Sequence, residues 1–318
     1  MSKLTTGLGL VLALQVVITL GLYFNAQKNQ QHEQSQALLN LEIEQIDKIV
    51  IQEKGSLATL FKQGQNWILS ERGQLPVDLN QLKALLGKLE SLQAGWPVST
   101  STSSHERFEV NENAYQRHLQ LYQGNQIKAE LYIGTSPGFR KVHVRKAGQD
   151  LVYAVKLNAF DLPSSSDEWL DRSLLAVDNI RAIQGSNYRL EKQGDDWMLA
   201  QGQKEGDDLN EKSLQKLLSA FESLRIRGLV ELTEDQQVQN GTRLTVTQVN
   251  KVLRYHFFQI DQQYLIHRDD YPYTFSLAEL DYQSIVGIFP KELLKMSLRE
   301  GRVNNGMETI APEEESAK

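Results

Sequence analysis

Cysteine is absent from all 318 residues. That absence removes disulfides, thiolate nucleophiles and Cys-ligated metals, together with lipid attachment through an N-terminal cysteine. An excess of basic charge is missing too: 34 Lys and Arg stand against 40 Asp and Glu, a net charge of −6. A nucleic-acid binder usually presents a basic face, so no nucleic-acid partner is expected. Metal-ligand spacing is lacking as well. His32, His105, His118, His143, His256 and His267 form neither H-x-x-x-H nor H-E-x-x-H. The pairs Asp195-Asp196, Asp207-Asp208 and Asp269-Asp270 sit in turn-like stretches, without the spaced ligands of an EF-hand loop. No metal, cofactor or catalytic residue is assigned from the sequence.

Only one long apolar run exists, Gly7 to Phe24, interrupted by Gln15 and scattered Thr and Gly. As a helix it would span about 27 Å, close to the thickness of a hydrocarbon core. The rival is a cleaved secretory signal. Cleavage wants small residues at −3 and −1, and the tolerable pair, Thr19 and Gly21, lies inside the run. An uncleaved transmembrane anchor over residues 1–24 is therefore expected. Tyr23 and Phe24 suit the interfacial aromatic belt, and residues 25–40, Gln-rich between Asn25 and Gln36, suit a solvated stalk. A single N-terminal span before a large domain places the folded part outside the cytoplasm.

What is present, beyond that run, is written twice. Leu60-Phe61-Lys62-Gln63-Gly64-Gln65-Asn66-Trp67-Ile68-Leu69 returns as Leu190-Glu191-Lys192-Gln193-Gly194-Asp195-Asp196-Trp197-Met198-Leu199. The shared L-x-K-Q-G-x-x-W-x-L reads as a β-hairpin with a Gly turn and one Trp on its second strand. Before each hairpin lies a β-branched strand, Ile46–Ile51 and Val177–Ile183. After each comes Asp-Leu-Asn, at 78–80 and 208–210, whose Asp and Asn are good helix N-caps. Leu82, Leu85, Leu86, Leu89 and Leu92 then recur as Leu214, Leu217, Leu218, Phe221 and Leu224. That spacing gives one apolar helix stripe for packing on a sheet. Gly95 and Gly228 are plausible helix stops.

The later halves keep their order. Strand-like 118–122, 127–133, 142–145 and 153–155 match 243–247, 252–258, 265–268 and 273–275, and each copy ends in a short helix, at 157–161 and 277–281. The fold class is thus α+β: two tandem copies of a mainly antiparallel sheet with one packed helix each. Copies of about 120 residues can each hold a core, which favours two domains in series over a solenoid. The boundaries expected are 41–170 and 171–290, with residues 291–318 as a short helix and a disordered acidic tail. Leu162 to Trp169 opens as a linker, and its Trp is positioned to pin the domains together.

Two features have the outward form of chemical sites. Gly134-Thr135-Ser136-Pro137-Gly138 satisfies G-x-S-x-G, but the residue after the Ser is Pro137, which has no N–H for an oxyanion hole. The segment after it reads as a strand, so a turn is expected. Trp67 and Trp197 could stack on a ligand, yet a Trp repeated in a hairpin is more often a core plug. Truncating either to Ala is expected to cost roughly 3–5 kcal/mol.

With the K-Q-G-x-x-W hairpin, the L-x-x-L-L helix and the stretch from Gly134 to His143 in view, the chain resembles the DUF4340 family. Glu168-Trp169-Leu170-Asp171-Arg172 is similar to that family's W-x-D-[KR] junction. The resemblance covers about residues 42–290, together with the anchor. It implies a bacterial, single-pass inner-membrane protein with extracytoplasmic domains, whose partners are components of a gliding-type ABC transport system. The role implied is that of a non-enzymatic accessory subunit. The alternative is an envelope domain that binds or hydrolyses glycan or peptide.

Overall fold

A computed structural model describes residues 15–20, 36–138, 140–201, 208–232, 240–288 and 292–294. Most of the expected anchor, the stalk up to residue 35 and the acidic tail lie outside the described residues. Gln15 to Leu20 is helical, and among the described residues no helix is long and apolar enough to cross a membrane. The chain divides into two compact units, between Leu174 and Leu175.

The first unit holds β1 (Lys48–Glu53), β2 (Ser56–Gln63), β3 (Asn66–Leu69), β4 (Leu75–Pro76), helix α1 (Leu79–Glu90), β5 (Arg117–Gln123), β6 (Gln126–Ile133), β7 (Val142–Lys146) and β8 (Val152–Val155). These eight strands form its main sheet in the order β8-β7-β6-β5-β1-β2-β3-β4, all antiparallel, beside two small two-stranded ladders, Gln36–Ala37 with Gln93–Ala94 and Val110–Asn111 with Ala114–Tyr115. The second unit holds β9 (Ala182–Gln184), β10 (Arg189–Gln193), β11 (Asp196–Gln201), α2 (Glu211–Glu222), β12 (Ile226–Val230), β13 (Thr242–Thr247), β14 (Val252–Ile260), β15 (Gln263–Arg268), β16 (Thr274–Leu277) and α3 (Glu279–Val286). Its order is β11-β10-β9-β13-β14-β15-β16-β12, again antiparallel. Seven strands therefore superpose in order. The eighth sits beside the Trp hairpin in the first unit and at the opposite edge in the second.

Local chemistry explains the repeated pieces. Each Trp hairpin closes through a two-residue turn whose first residue is Gly, Gly64 at φ 62° and Gly194 at φ 63°. A left-handed backbone there costs Gly little and any other residue more. Asp78 caps α1 by accepting from the N–H groups of Asn80 and Gln81, and Asn210 caps α2 by accepting from that of Ser213. The two Asp-Leu-Asn triplets are therefore out of step by two residues: the cap is the first member in one copy and the third in the other. Neither helix stops at the glycine expected. Both end at a serine, Ser91 and Ser223, and Gly228 falls inside β12. The opening strands also shift, because Lys62 N–H bonds Asp47 O while Lys192 N–H bonds Arg181 O, setting Asp47 against Arg181 and not Asp178.

Alternation along the strands buries one face. Ile49, Ile51, Leu60, Leu69, Leu119, Leu121, Leu131 and Val144 are closed off in the first sheet. α1 adds Leu82, Leu85 and Leu89, and α2 adds Leu214, Leu217 and Phe221. The Phe221 ring lies 5.4 Å from that of Tyr255 on β14, which fixes the face of the second sheet that the helix covers. Tyr282 of α3 reaches the same face, 4.8 Å from Tyr264.

The stretch from Leu162 to Trp169 is no free linker. Ser56 Oγ donates to Ser164 O, Ser164 Oγ to Glu53, and Arg72 pairs with Asp167 at 2.8 Å. Trp169 is fully buried in the first unit and its Nε1–H donates to Pro163 O. Asp78 N–H bonds Trp169 O, and Val77 bridges Leu170; in the second unit Asn210 N–H bonds Leu293 O, and Leu209 bridges Leu294. Leu293 is fully buried, as Trp169 is. The duplication thus extends to Glu292-Leu293-Leu294, the counterpart of Glu168-Trp169-Leu170.

Candidate functional site

Ser136 lies in the connection between the antiparallel strands β6 and β7, with no helix after it. Its Oγ is 2.7 Å from both Gly138 O and Lys141 O, so the hydroxyl proton is committed to the turn. His143 Nδ1 faces Thr135 Oγ1 at 2.9 Å, not Ser136. The segment works as a turn, and Gly134 shows why: a Cβ there would lie 2.0 Å from Phe108 O, where residues 104–110 cross over the sheet.

The Trp pair is unequal. Trp67 is buried, and its backbone carbonyl accepts from Val77 N–H as the chain turns into α1. Trp197, opposite Lys192 as Trp67 is opposite Lys62, is only partly buried, and its neighbour Met198 is exposed. The expectation of two core plugs is corrected for the second copy. β3 is flanked by β4, whereas β11 is the outermost strand of its sheet.

The sheet faces turned away from the helices carry the polar residues. In the first unit residues 100–116 cover this face. Thr135 N–H bonds Phe108 O, Gln116 N–H bonds Ile133 O, and Val110 packs with Tyr132 and Val152. Beneath that cover the polar groups satisfy one another. His118 stacks on Tyr132 with centroids 4.6 Å apart and lies 2.7 Å from Glu130. The Arg145 guanidinium sits over Tyr132 at 4.7 Å and donates to Val110 O at 2.7 Å. Gln120 donates to Glu130 as well. Burial pushes the Tyr132 hydroxyl up, and the Glu130 carboxylate adds to the effect.

Strand register places the same rows in the second sheet. Arg243 stands opposite His256, which stands opposite His267, which stands opposite Thr274. In the next row Thr245 faces Arg254, whose carbonyl accepts from Asp269 N–H. By position Arg243, Thr245, Arg254, His256 and His267 replace His118, Gln120, Glu130, Tyr132 and Arg145. Two adjoining cavities lie over this face and share Arg243, Thr245 and His256. One of 420 Å³ also reaches Arg254, His267 and Asp269, and one of 520 Å³ reaches Gln184 and Ser186. Burial, then the charges of Arg243 and His267, hold His256 below the ordinary histidine value, with Asp269 opposing. His267 Nδ1 lies 3.0 Å from Tyr273 O, so Nδ1 carries the proton and Nε2 is left for a ligand. Among the described residues no group of three or more acidic, His or Cys side chains is placed to hold a metal.

His256 and His267 look scattered in the sequence, eleven residues apart. A two-residue turn at Asp261-Gln262 pairs 260 with 263 and therefore 256 with 267. Hairpin arithmetic was the signal for the pair; the two arginines carried none.

No curated protein and no solved structure matches the chain. One family model, described as a domain of unknown function, DUF4340, matches residues 67–243. The match runs from the Trp of the first hairpin to the arginine of the second polar face. Spanning more than half of the sequence, it places the chain in a family: this protein belongs to DUF4340.

Proposed function

We propose that the protein is a non-enzymatic, single-pass envelope protein and an extracytoplasmic accessory subunit of a gliding-type ABC transport system. The apolar run from Gly7 to Phe24 is its transmembrane anchor in the inner membrane, and both sheet units lie outside the cytoplasm. Family membership is the observation that supports the reading; the transporter partners are what the resemblance in sequence implies, and the anchor rests on the apolar run. The geometry is in keeping with it: two sheet units, with the G-x-S-x-G serine committed to a turn. The test is purification from membranes solubilised in mild detergent. Transporter components should co-purify. Recovery of the protein alone and monomeric, with every transporter component lost, would overturn the assignment.

A further inference from the structure

The far face of the second sheet has an unbalanced charge pattern for a merely solvated surface. Arg243, Arg254, His256 and His267 occupy adjoining positions on three neighbouring strands. Directly opposed side chains on paired strands have Cβ atoms about 4.5–5.5 Å apart, and like charges there are destabilising. Asp269 opposes them through a long, exposed contact to Arg254 at 3.9 Å. Arg243 has no ion pair among the described residues. The first sheet shows what a purely structural version of this face looks like. There Glu130 occupies the place of Arg254 and takes both His118 and Gln120. In the second sheet that acid has become a base, and the positions line a cavity.

We propose that this face binds a phosphate-class dianion, gripped by Arg243 and Arg254 and flanked by His256 and His267, which donate to it in their protonated forms. Guanidinium forks match the paired oxygens of a tetrahedral anion. Thr245 faces Arg254 in the row next to that of Arg243 and adds a hydroxyl donor. Dianion binding would also relieve the repulsion between these cations. The proposal goes beyond the anchor and transporter reading and fails or survives separately from it.

The experiment uses the full chain in neutral detergent at constant ionic strength. Calorimetric titrations with inorganic phosphate and with sn-glycerol 3-phosphate separate a free anion from a lipid headgroup. Saturable binding of either supports the site, and the tighter of the two names the source. No saturable binding of either overturns it. Arg243→Gln/Arg254→Gln should weaken binding at least about tenfold, as losing charge-assisted contacts does. Lys83→Gln/Lys128→Gln removes the same charge from exposed positions of the first unit and should change nothing. Equal weakening by that control would mean that overall charge holds the anion, and the proposal would fall. Sulfate, which does not titrate near neutrality, gives the pH arm. His256 is faced by Arg243 from β13 and His267 from β15, with Arg254 on its own strand and Asp269 at the end of β15. Sulfate affinity should rise as pH falls from about 7 to about 5, a window that reaches below the ordinary imidazole range because His256 is held under it. A flat profile would remove the two histidines from the site.

Discussion

In the first unit the far-face positions His118, Gln120, Glu130, Tyr132 and Arg145 satisfy one another beneath residues 100–116. In the second unit the same positions carry Arg243, Thr245, Arg254, His256 and His267, and cavities lie above them. The opposite faces do not differ in this way. Leu119 and Leu121 become Leu244 and Val246, and Leu82, Leu85 and Leu89 become Leu214, Leu217 and Phe221, all buried. A close-packed layer tolerates only changes that conserve volume, so both copies keep it. The polar face carries no such restriction. A duplicated sheet can keep one face for stability while the other copy changes charge.

The closing contact of each unit gives the largest test of their equivalence. Trp169→Ala should destabilise the first unit by roughly 3–5 kcal/mol, and Leu293→Ala the second by roughly 2–5 kcal/mol. Urea unfolding of the full chain, with hydrogen exchange assigning each loss to its unit, is the measurement. If Leu293→Ala left the second unit unchanged, the counterpart of Trp169 would lie elsewhere. The hairpin tryptophans sharpen the contrast in the other direction. Trp67→Ala should cost about 3–5 kcal/mol. Trp197→Ala should cost less, about 2–4 kcal/mol, since the gain from burial scales with the area removed from water and Trp197 is only partly buried. Equal losses would show that the edge position of β11 does not matter.

What the sequence made legible was local. The Gly turns, the helix caps and the period of the apolar stripe are set within a few residues, and they specified two β-β-β-α units each followed by a meander. What it hid depends on distant partners. Ser164 and Ser166 look like linker residues until their hydroxyls meet Glu53, Leu57 and Glu71. Leu293 bears no likeness to Trp169, yet the backbone contacts are the same. Trp197 repeats Trp67 in sequence, but burial follows the neighbouring strand, not the motif. Of the basic face only the histidine pair could be read, by counting from a two-residue turn.

Acid should separate the units next. Arg268 is buried and donates to Asp270, whose other partner is Lys251. Burial pushes the Asp270 carboxyl up, but hydrogen bonds and charge from Arg268 and Lys251 outweigh it and set it below the usual carboxylate value. A carboxyl lowered on folding contributes stability that is fully present above its unfolded value, about 3.9, and is lost as pH falls through the folded one. Asp270→Asn should therefore cost the second unit about 1.5–3 kcal/mol at neutral pH, the range for hydrogen bonds to charged groups. The difference from wild type should begin to shrink below about pH 4 and close as pH falls through the lower, folded value. In the first unit Glu53 is also lowered, by Ser164 first and Arg117 next, against burial. Its side chain is 41% exposed. Glu53→Gln should cost less than about 1 kcal/mol. A larger loss from Glu53→Gln than from Asp270→Asn would reverse the order of the two units.

A comparably small effect concerns the connection before the last two strands of each meander. The first unit uses the long Gly134–Lys141 segment, while the second joins β14 to β15 through Asp261 and Gln262 alone, at φ 45° and 65°. Two successive left-handed residues make the turn that fits strand twist, and glycine is favoured at the second of them. A non-glycine residue there is strained by roughly 1–2 kcal/mol. Gln262→Gly should therefore raise the unfolding midpoint of the second unit by an amount equivalent to about 1 kcal/mol, after the added freedom of the unfolded chain is subtracted. Because the turn length is unchanged, His256 stays opposite His267, and sulfate affinity should not move. If the variant gained stability but lost sulfate, the Gln262 side chain and not the strand register would be what keeps the basic face of the second sheet in order.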